Sequence, residues 1–430
     1  MAQGTTVRAG ILITGTEVLT GRVADRNGPW LAEQLRVLGV DVGQIMVVGD
    51  RPTDLVAALG HLLADHDLVI TSGGLGPTAD DLTASLVAQV RARPMHLDPA
   101  LEHRIAAAVA AFHRRRGLPS DPAATAAGVR KQAMVPDGAA VLEPIGTAPG
   151  LVVPAADGHP GPPVVVLPGP PNELQGMWSA ALAVPAVREI MARATPLCED
   201  TIRLWGSLEA DLAATLRRIE SEISDLEVTT CLRDGELEIV TRYRPQTPTS
   251  LDQLELLRRT VMADFAATAF SPDGATIDAL VAQGLLDRGW TVATAESCTG
   301  GLLAARITAR AGSSDYLFGS IVAYSNAVKT ALAAVPADLL AAHGAVSSQV
   351  AEALAEGART ALGADVGVGI TGVAGPGGGT PDKPVGTVHL AVVTPVGRRL
   401  RALSLSGDRD QVRQRTVTIA MHELHQALRS

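Results

Sequence analysis

Ala295-Glu296-Ser297-Cys298-Thr299-Gly300-Gly301 is a sharp turn between two different periodicities. Thr291 to Ala295 before it read as a short buried strand, and Leu302 to Arg310 after it as a helix. A strand that turns at once into a helix is the unit of α/β folds. A serine in such a turn is held out of the sheet, beside the unpaired N–H groups that open a helix. Those groups bind an oxyanion or a phosphate. The turn therefore offers a nucleophile and its clamp together. Read locally, Ser297 or Thr299 serves equally well as a plain helix cap.

Working outward, Ile277 to Asp287 has helical spacing before the turn. After it, Ser320 to Ser325 alternates like a strand, and Asn326 is placed to cap a helix from Ala327 to Ala334. Lys329 then falls in the first helical turn, where the helix dipole and any burial disfavour a protonated amine. A neutral lysine takes a proton from a serine hydroxyl, and Tyr324 at the strand end is placed to orient it or pass a proton on. The alternative is an exposed helix lysine beside a core tyrosine. Only three lysines occur (Lys131, Lys329, Lys383), so one inside a motif carries weight. Further on, a helix from Ala351 to Leu362 leads into a buried strand, Val366 to Ile370. The loop Thr371-Gly372-Val373-Ala374-Gly375-Pro376-Gly377-Gly378-Gly379-Thr380 follows. So many glycines at a strand end suit close approach to a phosphate or a flexible lid. Strands Gly386 to Thr394 and Arg398 to Leu405 come next, then a last helix capped by Asp408. Arg409 and Arg413 reach a phosphate there or form a solvated face.

The N-terminal third alternates strand and helix: Ala9–Thr14, Trp30–Leu38, Val40–Val48, Leu55–Ala64 and Asp67–Thr71. That βαβαβ series predicts a doubly wound parallel sheet, whose ligands sit past the carboxyl ends of the strands. Gly73-Gly74-Leu75-Gly76-Pro77-Thr78-Ala79-Asp80-Asp81 follows the third strand. Its glycines admit an anion, and Asp80 with Asp81 suits a divalent cation; otherwise Asp81 caps the next helix. Glu17 and Asp25 are candidates for the same crevice. Ile145-Gly146-Thr147-Ala148-Pro149-Gly150 and Pro168-Gly169-Pro170-Pro171-Asn172-Glu173 add two more strand-end turns. Glu173 to Arg193 reads as a connecting helix, and Leu101 to Arg116 as a helix ending in a basic run. Between the two large regions lies a small α+β segment. It has a strand (Thr201–Trp205), a helix (Leu208–Glu220), a hairpin about Asp234-Gly235 and a helix (Leu251–Phe265). It lacks the Gly-x-x-Gly loop with which a KH domain clamps RNA.

Net charge is −9, without charged blocks, which argues against nucleic acid or a membrane surface as partner. Cys198, Cys231 and Cys298 are too few and too scattered for a disulfide framework. No apolar run of about 18 residues appears, so a soluble, cytoplasmic protein is expected.

These motifs bring a family into view. The glycine–acid loop at Gly73–Asp81 and Gly146-Thr147-Ala148-Pro149-Gly150 resemble the molybdopterin-binding-like domain of MoaB/MogA proteins and of CinA, the competence/damage-inducible protein A family. Leu167-Pro168-Gly169-Pro170-Pro171-Asn172-Glu173 favours CinA. The segments Ala295–Gly301, Tyr324-Ser325-Asn326-x-x-Lys329, Thr371–Gly378 and Pro384-Val385-Gly386-Thr387-Val388 resemble the CinA C-terminal domain. Thr16 stands where many relatives carry an acid, and Pro170-Pro171-Asn172 differs from the commoner Val-Pro pairing.

The resemblance implies three α/β parts: a doubly wound molybdopterin-binding-like domain (1–172), a connecting helix with a KH-like α+β domain (173–272) and an amidase domain (273–430). It implies a PncC-type amidase that hydrolyses nicotinamide mononucleotide to nicotinic acid mononucleotide and ammonia without a cofactor. Ser297, Lys329 and Tyr324 would be catalytic. Thr299, Gly300, Gly301, Thr371, Gly372, Gly375, Gly377, Gly378, Arg409 and Arg413 would hold substrate. It further implies a homodimer, and a metal-dependent ADP-ribose pyrophosphatase site in the N-terminal domain. That site would comprise Gly73, Gly74, Gly76, Thr78, Gly146, Thr147 and Gly150, with a divalent metal such as Mg on Asp80 and Asp81. The competing readings are the pyrophosphatase alone, or a nucleotide- or pterin-binding protein without turnover.

Overall fold

The computed structural model of the chain describes residues 7–116, 121–233, 235–245 and 247–429. Asp234, expected at the hairpin tip, lies outside them, as does the side chain of Arg116. The chain divides into two compact units, Met1–Glu199 with Tyr243–Pro248, and Asp200–Arg242 with Thr249–Ser430.

In the first unit, Asp41–Val48, Arg8–Thr14, Leu68–Ser72 and Val164–Leu167 lie side by side and parallel. Gly150–Val153 and Ala140–Leu142 extend the sheet antiparallel, because the link between them is too short for a helical crossover. Leu68–Ser72 is buried along its whole length, as a central strand covered on both faces must be. Ile11, Ile13 and Ile70 meet Leu31 and Leu35 on one face; Leu12 and Val69 meet Leu55, Leu59 and Leu62 on the other. The helix expected as a connector breaks at Pro185 into Pro171–Ala183 and Pro185–Met191. Both pieces bury apolar residues in the first core, among them Leu174, Met177, Val187 and Ile190. A helix absent from the sequence reading, Pro122–Gln132, is alanine-rich and so weakly periodic; Asp121 caps it through Ala123 N at 2.8 Å.

The second unit holds two sheets. The small one runs Glu227–Arg233, Glu236–Tyr243, Cys198–Trp205, Ala269–Ser271, and the last strand was too short to show in the sequence. The larger one places Leu317–Val322, Val292–Glu296 and Val366–Gly372 parallel, then Thr387–Thr394 and Gly397–Ser404 antiparallel. The strand expected from Ser320 to Ser325 thus ends at Val322, and Tyr324 falls in the turn beyond. Ser325, rather than Asn326, caps the next helix, Asn326–Ala333, by accepting from Val328 N at 3.2 Å. The helix Arg409–Arg429 spans 21 residues. Near its far end the buried His422 ring stacks on Trp205 at 3.8 Å and bonds Glu236 at 2.7 Å. Among the described residues no helix is long and apolar enough to cross a membrane.

Close packing brings the serine and lysine elements together. Helix Ser348–Leu362 faces the sheet with Ala351, Ala355 and Ala358, all fully buried. A Cβ on Gly367 would stand 2.0 Å from Ala355 O, and one on Gly369 2.1 Å from Ala351 O. On its other side, a Cβ on Gly357 would stand 1.7 Å from Ala333 O, in the lysine helix. The helix is therefore backbone-close to both the central strand and the lysine helix. Gly369→Ala should lower stability by roughly 1–3 kcal/mol in urea unfolding. Gly377→Ala, facing open space, should change it by less than about 0.5 kcal/mol.

Candidate functional site

Glu296 ends the strand Val292–Glu296, and Ser297 starts the turn with its N–H on Ile370 O at 3.0 Å. Gly300 and Gly301 adopt φ of 61° and 96°, which lets five residues, 297–301, reverse from strand to helix. The helix is Leu302–Thr308, and neither Ser297 nor Thr299 caps it. Its opening N–H groups are instead taken by Glu296. That carboxylate accepts from Gly301 N at 3.0 Å, Leu303 N at 3.1 Å and Ala304 N at 2.9 Å. The Gly300 N–H goes to Ser297 O at 3.2 Å. The anion clamp expected from Gly300 and Gly301 is thus already occupied by protein atoms. The N–H groups of Cys298 and Thr299 face the Cys298 thiol; burial outweighs them and pushes that thiol up to about 11.

Lys329 is 1% exposed, so the exposed-lysine alternative is excluded. Its Nζ lies 3.1 Å from Ser297 Oγ, 2.8 Å from Ala323 O and 3.1 Å from Tyr324 O. Burial holds its pKa below the usual lysine range; a charge on the neighbouring Cys298 would act the other way. The two carbonyls can only accept, so they take two amine hydrogens. In the neutral amine the third direction is a lone pair aimed at the serine hydroxyl. Serine and lysine, 32 positions apart, therefore form a nucleophile–base pair in geometry.

Tyr324 is 62% exposed and is no core aromatic. It meets the lysine through its backbone oxygen, while its hydroxyl accepts from Arg409 Nη2 at 3.0 Å. Arg409 also donates to Gly375 O at 2.6 Å, and Arg413 to Thr299 O at 3.1 Å. The arginines of the last helix, capped by Asp408 through Gln411 N at 2.9 Å, thus tie the glycine loop and the serine turn together. Arg413 is half-buried and so not part of a solvated face, whereas Arg409 stays exposed while making both contacts. Thr299 Oγ1 and Arg413 Nε are buried without a hydrogen-bond partner. Thr371, expected to line a substrate site, is buried, and its hydroxyl donates to Ala345 O at 2.7 Å. Gly372 ends the same strand, while Gly377 and Gly378 lie in the loop beyond.

The N-terminal motifs converge separately on a cavity of about 300 Å³. Gly73, Gly74, Gly76, Asp80, Asp81 and Thr147 line it, with Glu17, Asp50, Gln132 and Glu173. Asp25 does not; it accepts from Asn27 N and Gly28 N at its own helix start. Asp81 is no cap either, because the helix begins at Thr83. Thr78 bonds both Asp80 and Asp81, and that hydrogen bond is the main cause holding Asp80 below the usual carboxylate range. Gly146 gives room to Glu173, which would stand 2.3 Å from a Cβ there and whose own pKa burial raises. Gly150 meets Leu142 and Met177, a packing role instead of a ligand one. Among the described residues no three His, Cys, Asp or Glu side chains cluster as metal ligands.

The turn ending in Glu173 was expected at a pocket rim and does line the cavity, whereas Asp50, Gln132 and the role of Glu296 were missed in the sequence. For Glu296 the signal was present: an acid directly before a helix start satisfies its free N–H groups.

Comparison with known proteins defines a two-part class. Residues 274–428 match the family model of the CinA C-terminal domain, and residues 10–189 match that of the probable molybdopterin binding domain. Over 428 residues the chain is 54% identical to a CinA-like protein of Mycolicibacterium gilvum, covering 98% of each. It is 49% identical to a CinA-like protein of Mycobacterium tuberculosis, covering 98% of this chain and 97% of that one. A crystal structure of a CinA superfamily protein from Klebsiella pneumoniae is 36% identical over 36% of this chain and 96% of its own, with a TM-score of 0.35. The chain belongs to the CinA-like family.

Proposed function

We propose that the C-terminal site is an amidohydrolase acting on the carboxamide of nicotinamide mononucleotide. The observation that carries this reading is the buried Lys329 Nζ, 3.1 Å from Ser297 Oγ with both of its other contacts to carbonyls. Ser297 Oγ attacks the carboxamide carbon, and its proton passes to Lys329. The developing oxyanion is met by the N–H groups of Cys298 and Thr299, which in the free site face only the weakly accepting Cys298 thiol. The lysine ammonium then returns a proton to the departing ammonia. Water, deprotonated by the same amine, cleaves the acyl-enzyme to the acid and frees the serine. No cofactor is needed. Arg409 and Arg413 supply positive charge for the nucleotide phosphate beside the Gly375 loop.

A second site is supported by the N-terminal cavity. Its glycine turns suit a diphosphate, and Mg²⁺ requires only one or two carboxylates when substrate phosphates complete its shell. Asp80 and Asp81 fit that demand, each keeping oxygens free of Thr78. When bound, the metal would neutralise the diphosphate of ADP-ribose. Asp80 and Asp81 would hold it, and the cavity glycines would let backbone N–H groups approach the substrate.

Ammonia release from nicotinamide mononucleotide should fall by at least about 1,000-fold in Ser297→Ala; equal activity in both proteins would remove the serine mechanism. The free amine is the base and burial lowers its pKa, so kcat/KM should rise with pH and level off at a pH below 10.5. A rising limb centred at or above that value would exclude Lys329. Chelator should abolish cleavage of ADP-ribose while leaving ammonia release intact, as measured by phosphate-ester and ammonia assays on one preparation.

A further inference from the structure

Glu296 is fully buried, and among the described residues no lysine, arginine or histidine pairs with it. Its carboxylate is held instead by three backbone N–H groups at 2.9–3.1 Å and approached by the Thr294 hydroxyl at 3.3 Å. Thr294 Oγ1 also lies 2.7 Å from the Ser320 hydroxyl on the neighbouring strand, which can donate to it and leave the one Thr294 proton for Glu296. Thr294 and Glu296 lie on one face of their strand, two residues apart. A buried carboxylate without a cation costs stability unless its oxygens are met by donors. Ordinary helix capping needs no such group, since a threonine or aspartate in the turn would cap from the surface.

The consequence falls on the residue that follows. Glu296 O accepts from Ala323 N at 2.8 Å, which ties the strand end to the segment that also supplies the lysine's two carbonyls. The Ser297 N–H is tied to Ile370 O, and the Glu296 side chain closes the far end of the turn onto Gly301. Ser297 is therefore clamped from both sides, with its hydroxyl fixed at the amine. The carboxylate also fills the helix N-terminus, so a substrate anion is turned away from it.

We infer that Glu296 is a positioning residue for Ser297: its carboxylate occupies the helix start and sets the serine hydroxyl against Lys329. The inference rests on the serine reading proposed above. The test uses the full chain with Glu296→Gln, an isosteric change that sets an amide NH2 against one of the three donors. Three quantities are read: kcat and KM for nicotinamide mononucleotide, the rate of Ser297 labelling by a fluorophosphonate per folded molecule, and the melting temperature. The expected result is a loss in kcat of about 10- to 100-fold with KM within twofold, and a parallel loss in labelling rate. A role in stability alone would lower the melting temperature and leave the labelling rate of folded protein unchanged; that outcome overturns the proposal. So does a raised KM with unchanged kcat, which would assign the carboxylate to binding.

If Glu296→Gln does not fold, Thr294→Val keeps the carboxylate but removes the hydroxyl beside it. A several-fold drop in labelling supports the proposal, and none overturns it. Wild-type protein that is labelled at Ser297 but releases no ammonia would end the amidase reading and leave Glu296 to be judged by labelling. Wild-type protein that is not labelled ends both.

Discussion

The Nζ atom of Lys329 sits out of water among three oxygens, and the arrangement around Ser297 depends on that amine staying where it is. Two of the oxygens are carbonyls of Ala323 and Tyr324, from the turn that leads into the lysine's own helix. They are acceptors only, so they orient the amine without taking a proton from it. A glutamate or aspartate in their place would hold the lysine charged and silence it as a base. Neutral acceptors and burial together push it toward the free amine. The helix that carries the lysine is held by a close backbone approach at Gly357 and by the apolar cluster of Val328 with Ile321, Val335, Val350 and Leu354.

The two units treat negative charge in opposite ways. At the serine turn, the protein's own Glu296 takes the helix start, and positive charge is delivered from elsewhere by Arg409 and Arg413. In the N-terminal cavity the acids Glu17, Asp50, Asp80, Asp81 and Glu173 line the wall, and glycine turns supply the backbone. An acid-lined cavity takes a diphosphate only with a cation as intermediary, whereas an arginine-flanked turn takes a phosphate directly.

Much of this was legible in the sequence, and unevenly. Periodicity marked the parallel strands and their helices, because a strand buried on both faces is apolar throughout. The Ser297–Lys329 pair was legible because the serine sits in an unusual strand-to-helix turn and the lysine, one of three in the chain, near the start of a capped helix. Tyr324 was misplaced because the alternation of Ser320–Ser325 continues past the true strand end; nothing local shows that its ring leaves the core for Arg409. Thr371 looked available because a hydroxyl's partner on a distant loop is invisible in one dimension. Glu296 and its donors lie within eight residues of each other, but Ser297 and Thr299 between them are the commoner helix caps and mask the carboxylate. Pro122–Gln132 and Ala269–Ser271 escaped through weak amphipathicity and short length.

The last helix has one more property. Arg409 and Arg413 occupy its first turns, and His422, about two to three turns further along, is wedged between Trp205 and Phe270 with its nitrogen on Glu236. The same helix thus carries the arginines that bind the glycine loop and the serine turn at its start and closes on the small sheet further along, and Val412, Val417 and Ala420, all buried, hold it in between.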